Sequence, residues 1–272
     1  MIQRTIPASG EQLTVIGLGT WQRFDVDPHS DLATLKNVLE VFHEAGGRLI
    51  DSSPMYRRSE EVIGRLTEEM PERDEFFFAT KVWTEGEAAG VRQMEASISK
   101  MKRRLVDLMQ IHNLVDWKTH LKTLRSWKEE GRVRYIGITH YTNSMHNELA
   151  RVLKQEKFDF VQFNYSIFDR QAEDMLLPLV HDLGVAVLIN RPLDVGSSFD
   201  HVKNKSLPPW AADLQISSWG QFFLKYIISH RAVTCVIPAT GNPAHMKDNV
   251  AAGVGPLPDE KTREKMVEWV RH

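Results

Sequence analysis

An aspartate, a tyrosine, a lysine and a histidine stand out in this chain because they follow short apolar runs. Asp51 closes the run Leu49-Ile50, which Gly46-Gly47 separates from any preceding helix. Ser52, Ser53 and Pro54 are turn formers that carry the chain on to Tyr56. Later runs end in the same fashion: Lys81 with Trp83, His112, Thr139-His140, Gln162 with Asn164, Asn190-Arg191, and Pro238 to Thr240. A carboxylate, a phenol, an ammonium and an imidazole are groups that hold and move protons. Ionisable residues at the carboxyl ends of strands are where parallel α/β proteins keep their chemistry. A structural scaffold has no need of such a series.

Strands must hold these positions. They are expected at 15–19, 49–50, 76–80, 108–111, 134–138, 160–163, 185–189 and 233–237. Helices are expected between them at 30–45, 59–69, 87–104, 117–130, 144–155, 173–183, 217–230 and 244–252, with Ser30 and Ser59 as N-caps. Residues 1–14 read as a polar hairpin turning at Ala8-Ser9-Gly10-Glu11, and residues 256–272 as a closing amphipathic helix. The strand ends at 51, 81, 112, 139, 163 and 190 recur at near-regular intervals before a longer step to 237. Regular βα units predict a parallel sheet, and eight of them predict an α/β (β/α)8 TIM barrel forming a single domain over residues 1–272. The long step holds Asp194-Val-Gly-Ser-Ser198 and Leu207-Pro-Pro-Trp210, a loop expected to wall or cover the active-site face.

Composition fits this reading. Such barrels commonly take ~250 residues as one domain, and the chain has 272. Its hydrophobic (42%) and charged (26%) fractions are those of an ordinary soluble globular protein. A net charge of −2 leaves no electrostatic footprint for nucleic acid or an anionic membrane. No apolar run is long enough to span a bilayer, and residues 1–10 lack the apolar core of a signal peptide. The one cysteine, Cys235, excludes an internal disulfide and reads as a small buried hydrophobe. A cytoplasmic protein, monomeric or weakly oligomeric, is expected.

Taken in order, the pieces resemble the aldo-keto reductases from Gly17 to Asn249. They are Gly17-Leu-Gly-Thr-Trp21, Asp51-Ser-Ser-Pro-Met-Tyr56, Ala79-Thr-Lys-Val-Trp83 and Asp107-Leu-Met-Gln-Ile-His112, followed by Gly137-Ile-Thr-His140, Val161-Gln162, Arg191-Pro-Leu193 and Val236-Ile-Pro238. The resemblance implies reduction of a small-molecule carbonyl by a nicotinamide cofactor, with a catalytic tetrad of Asp51, Tyr56, Lys81 and His112. Tyr56 would be the general acid; a free phenol, with a pKa ~10, donates poorly near neutrality. Lys81 would favour the phenolate, and Asp51 would hold Lys81. His112 would orient the substrate oxygen, and Trp21 and Trp83 would line an apolar pocket beside it. Each residue also has a plainer reading. Asp51–Lys81 could be an ion pair at a barrel rim, His112 a satisfied core histidine, Tyr56 packing, and the tryptophans rim core.

Gly17-Leu-Gly19-Thr-Trp-Gln22 lacks the third glycine of the Rossmann fingerprint, so a dinucleotide would lie on the barrel itself. Barrel phosphate sites often follow strands 7 and 8, near a helix N-terminus. Here that means Arg191-Pro192-Leu193 to Ser197 and Pro238-Ala239-Thr240-Gly241, before the N-cap and first-turn pair Asn242-Pro243. By resemblance Gly19, Thr20, Trp21 and Asp51 would border the cofactor, and Thr139, His140 and Gln162 would hold its carboxamide. Asn190 would lie against the nicotinamide ring and Asn249 at the adenine edge.

Several positions depart from the common pattern of the family. Asn190 replaces an aromatic ring, and Thr139-His140 replaces Ser-Asn. Ala239 and His245 stand where many members carry Lys and Arg around the 2′-phosphate. NADPH is expected, with NADH as an alternative cofactor. Arg57-Arg58 follows Tyr56 where glycine is usual, and is either a solvated pair at a helix start, a cation for an anionic substrate, or an obstruction. A cofactor-binding regulatory protein on the same fold is the competing function. A metal-dependent hydrolase is disfavoured, because His112, His120, His140 and His146 have no ligand-like spacing.

Overall fold

The computed structural model describes residues 1–271; His272, the last residue of the expected closing helix, lies outside them. A hairpin opens the chain, β1 (Gln3–Thr5) paired antiparallel with β2 (Gln12–Thr14). Gly10, at φ +80°, makes its turn. The hairpin buries Ile6 and Leu13.

Eight strands follow in parallel: β3 (Leu18–Gly19), β4 (Leu49–Asp51), β5 (Phe77–Val82), β6 (Val106–His112), β7 (Val133–Thr139), β8 (Phe160–Asn164), β9 (Ala186–Asn190) and β10 (Cys235–Val236). Each pairs with its sequence neighbour. Bridges from Ile16 to Val236 and from Gly19 to Ala239 join the two ends, so the sheet closes as a (β/α)8 barrel. The helices are α1 (Ala33–Glu44), α2 (Ser59–Glu68), α3 (Glu87–Lys100), α4 (Trp117–Glu129), α5 (His146–Gln155), α6 (Leu176–Leu183), α7 (Trp219–Ile228), α8 (Pro243–Ala251) and α9 (Glu260–Arg271). The long loop after β9 coils into 3-10 turns at Asp194–Val202 and Pro209–Leu214.

Boundaries differ from expectation where a side chain finds another partner. Ser30 is not a cap: α1 begins at Ala33, whose amide bonds Asp31 Oδ1, while Ser30 Oγ donates to the Asp27 carbonyl. Ser59 is the first residue of α2 rather than its cap, its hydroxyl directed at the Thr20 carbonyl. Helix α6 starts at Leu176 instead of 173, which leaves Pro178 in its first turn, where a missing N–H costs nothing.

Side chains two apart on a strand share a face. Leu49, Phe77, Leu108, Tyr135, Phe160, Ala186, Leu188, Cys235 and Ile237 form one apolar cluster with Ile6 and Leu13 of the hairpin. Two or four residues further along the same faces stand Asp51, Lys81, Gln110, His112, Thr139, Gln162 and Asn190. The barrel interior is thus oily below and polar at its carboxyl mouth. Closure is tight: a Cβ on Gly19 would lie 2.8 Å from the Ile237 carbonyl oxygen, a backbone atom that cannot step aside. Gly19→Ala is therefore expected to lower stability by roughly 1–3 kcal/mol, read as a lower urea midpoint.

Candidate active site

At the centre of the mouth lies an ion pair. Lys81 Nζ is 2.6 Å from Asp51 Oδ2 and 2.7 Å from the Ser52 carbonyl oxygen. The lysine side chain is fully buried and that of the aspartate 3% exposed. Asp51 Oδ1 accepts from Gln110 Nε2 (3.1 Å) and Gln162 Nε2 (3.0 Å), so both carboxylate oxygens are used. Burial pulls the ammonium towards neutrality, but Asp51 and the neighbouring phenol reverse this and leave Lys81 above its usual pKa.

Tyr56 reaches the pair through a 3-10 turn, Pro54–Tyr56, capped by the extended residue Ser53, whose hydroxyl accepts the Met55 amide. Lys81 Nζ lies 5.0 Å from the centre of the phenol ring. Burial raises the Tyr56 pKa above 10, although part of the residue reaches solvent; Lys81 draws it down and Asp51 adds to the rise. Lys81 thus acts in the expected direction, but burial outweighs it and the phenol keeps its proton. His112 meets the phenol edge-on, ring centres 5.9 Å apart. Burial first, then Lys81 and His140, push His112 down to about 2, so its imidazole is neutral. Its Nδ1 lies 2.9 Å from Ser53 Oγ.

The remaining candidates surround this centre. Trp83 lies 6.4 Å from the His112 ring, and the side-chain amide of Gln93 clasps both its N–H and its C=O. Trp21, Met55 and Trp83 are each about 40% exposed and give the mouth an apolar rim. Thr20 Oγ1 donates within the Asp51-Ser52 segment and supports that loop. Thr139 Oγ1 bonds Gln162 Oε1, and Asn190 Nδ2 bonds the His140 carbonyl and Gln162 Oε1. Asn190 Oδ1 is buried with no partner. His140 Nδ1 accepts the Tyr141 amide.

Further round the rim, Arg191 is paired with Asp194 while Pro192 is buried and Leu193 half-buried. Pro238 and Thr240 are buried, Ala239 and His245 exposed, and Asn249 buried. Asn242 caps α8 through the Ala244 amide, with Pro243 in the first turn. Arg57 and Arg58 both lean to Asp25, at 3.6 and 2.8 Å, and the Arg57 side chain is 82% exposed.

Gln110 and Ser53 escaped the sequence reading. Gln110 had a usable signal, since it interrupts an apolar strand two residues before His112 and so shares its face. Ser53 had none beyond its turn propensity. Among the described residues no cluster of three metal-ligating side chains occurs, and no helix is long and apolar enough to cross a membrane.

The model of the aldo/keto reductase family matches residues 15–265. The chain belongs to the aldo/keto reductase family. Similar chains include the aldo-keto reductase YhdN of Bacillus subtilis (strain 168), 25% identical over 205 residues that cover 68% of this chain and 60% of that one. Another is the NADH-specific methylglyoxal reductase of Escherichia coli (strain K12), 28% identical over 231 residues, covering 71% and 68%. An aldo-keto reductase from Klebsiella pneumoniae, solved in complex with NADPH, shares the fold with a TM-score of 0.83 at 22% identity, covering 99% of this chain and 96% of that one.

The family implies a nicotinamide dinucleotide, and the mouth of this aldo/keto reductase fits one. The unpartnered Asn190 Oδ1 is a buried acceptor awaiting a donor such as a carboxamide N–H. The capped N-terminus of α8 offers amide groups and a dipole suited to phosphate.

Arg57 holds φ +54° and ψ −107°, a conformation glycine tolerates and arginine does not. Its exposed ion pair contributes little. Arg57→Gly is expected to stabilise the fold by about 1 kcal/mol, seen as a raised Tm. His112 sets a pH dependence. Its folded pKa, about 2, lies below the ~6.5 of an unfolded histidine, so the unfolded chain takes up the proton first. Stability from the neutral ring is complete above about pH 6.5 and declines as the pH falls towards 2, by up to about 1.4 kcal/mol per unit. Urea midpoints at pH 7 and 5 are expected to differ more for the wild type than for His112→Gln.

Proposed function

We propose that this protein reduces an aldehyde or ketone to the alcohol with NADPH, using NADH as well, and that Tyr56 delivers the proton. The observation that carries this reading is the buried Asp51–Lys81 pair set against the Tyr56 ring, with the His112 edge beside it. The dinucleotide, when bound, supplies the hydride. Tyr56 keeps its proton until negative charge gathers on the carbonyl oxygen. Lys81, held by Asp51 and the Ser52 carbonyl, then stabilises the phenolate left behind. Neutral His112 orients the carbonyl by hydrogen bonding, without competing as an acid.

Thr139, His140, Gln162 and Asn190 would hold the carboxamide end. Arg191 to Leu193 and Pro238 to Thr240, with the N-terminus of α8, would hold the phosphates. Ala239 and the exposed His245 bring no permanent charge to a 2′-phosphate, which argues for weak discrimination between the two cofactors. Trp21, Met55 and Trp83 offer apolar walls, and Asp25 holds both arginines, so a neutral apolar or aromatic carbonyl suits the pocket better than an anion.

The test is consumption of NADPH or NADH by the purified protein with aromatic aldehydes and dicarbonyls. Turnover is expected with both cofactors, within roughly tenfold of each other given no bidentate grip on the phosphate. Tyr56→Phe is expected to lower kcat ~10²–10⁴-fold while NADPH still quenches tryptophan fluorescence. Quenching without turnover in the wild type would replace this reading with the regulatory, cofactor-binding one.

A further inference from the structure

Ser53 stands between Asp51 and Tyr56 and is wholly buried. Its Oγ has two neighbours. The Met55 amide donates to it at 3.2 Å, and His112 Nδ1 lies 2.9 Å away. A hydroxyl has one proton to give, and a neutral imidazole carries one proton on one of its two nitrogens. If Nδ1 carried the ring proton, Ser53 Oγ would accept twice and its own proton would be stranded in a site without solvent. If Nδ1 is the acceptor, Ser53 donates to it and both the hydroxyl and Nδ1 are satisfied. The ring proton then sits on Nε2, which makes no hydrogen bond among the described residues.

We propose that Ser53 is a positioning residue that holds the His112 proton on Nε2, as the donor for a substrate oxygen, while fixing the turn that carries Tyr56. The wrong tautomer would present a lone pair to the carbonyl oxygen and repel it. One hydroxyl therefore supports both the general acid and the orienting donor, whose rings are 5.9 Å apart. The kinetic part of this proposal rests on the reductase reading; the tautomer itself does not.

The experiment is a long-range proton–nitrogen correlation spectrum of the full chain, labelled with 15N-histidine and free of substrate, with His112 identified through His112→Gln. A pyrrole-type Nε2 and a pyridine-type Nδ1 are expected. In Ser53→Ala the two tautomers are expected to mix, and kcat to fall at least ~10-fold with little change in the KM for the carbonyl. Ser53→Thr, which keeps the hydroxyl, is expected to restore both. A pyrrole-type Nδ1 in the wild type overturns the proposal. So does an unmixed Nε2–H signal in Ser53→Ala, because a role confined to capping the turn would lower Tm and leave the ring unchanged. If Ser53→Ala does not fold, the wild-type spectrum still decides. If no carbonyl is reduced at all, the spectrum reads the proton regardless.

Discussion

An ammonium and a carboxylate can leave water together only if their remaining hydrogens and lone pairs are also satisfied. The mouth of this barrel is arranged around that demand. Lys81 and Asp51 take each other, and the leftovers go to the Ser52 carbonyl and to the amides of Gln110 and Gln162. Gln162 in turn is steadied by Thr139 and Asn190. Six neighbouring strands, β4 to β9, are thereby tied through side chains as well as through backbone. The pair is a poor source of stability, because replacing it with apolar side chains of similar size would avoid the desolvation cost. Its presence makes sense as a fixed charge kept dry beside a phenol.

Dryness also decides the protonation states. The same burial that raises Tyr56 lowers His112, since in each case it opposes the charged form. An acid that keeps its proton and an imidazole that stays neutral are complementary partners for a carbonyl oxygen. No separate device is needed for each group. The apolar plug beneath them, continuous with Ile6 and Leu13 of the hairpin, keeps water from entering below.

The barrel was legible in the sequence because its signal is local and repeated: an apolar run, a polar end, a helix, and again. Asp51, Lys81 and His112 showed themselves by standing at the ends of such runs. Tyr56 was placed by the turn formers before it. Partnerships across strands were not legible, because no local rule says which side chain two strands away will meet Asp51 Oδ1. Gln110 and Ser53 were missed for that reason, and the caps at Ser30 and Ser59 were misplaced because other carbonyls claimed their hydroxyls, that of Asp27 three residues back for Ser30 and the distant one of Thr20 for Ser59. Asp25 is a further case, an acid far back in the chain that pairs with both Arg57 and Arg58. Burial was the other invisible quantity. The chain names the charges near Tyr56 but not how little water reaches them.

The seam between Ile16–Gly19 and Val236–Ala239 has a consequence for how this molecule comes into being. Every other parallel pairing joins strands that are neighbours in sequence, whereas this one joins segments some 220 residues apart, Ile16 to Val236. During synthesis the opening strand must wait, one edge unpaired, until the ribosome has delivered the final one. Contacts of such long separation form late and slow the folding of the whole. The barrel mouth cannot assume its shape before then, so a nascent chain halted short of residue 236 would carry Asp51, Tyr56, Lys81 and His112 and have no closed barrel to gather them.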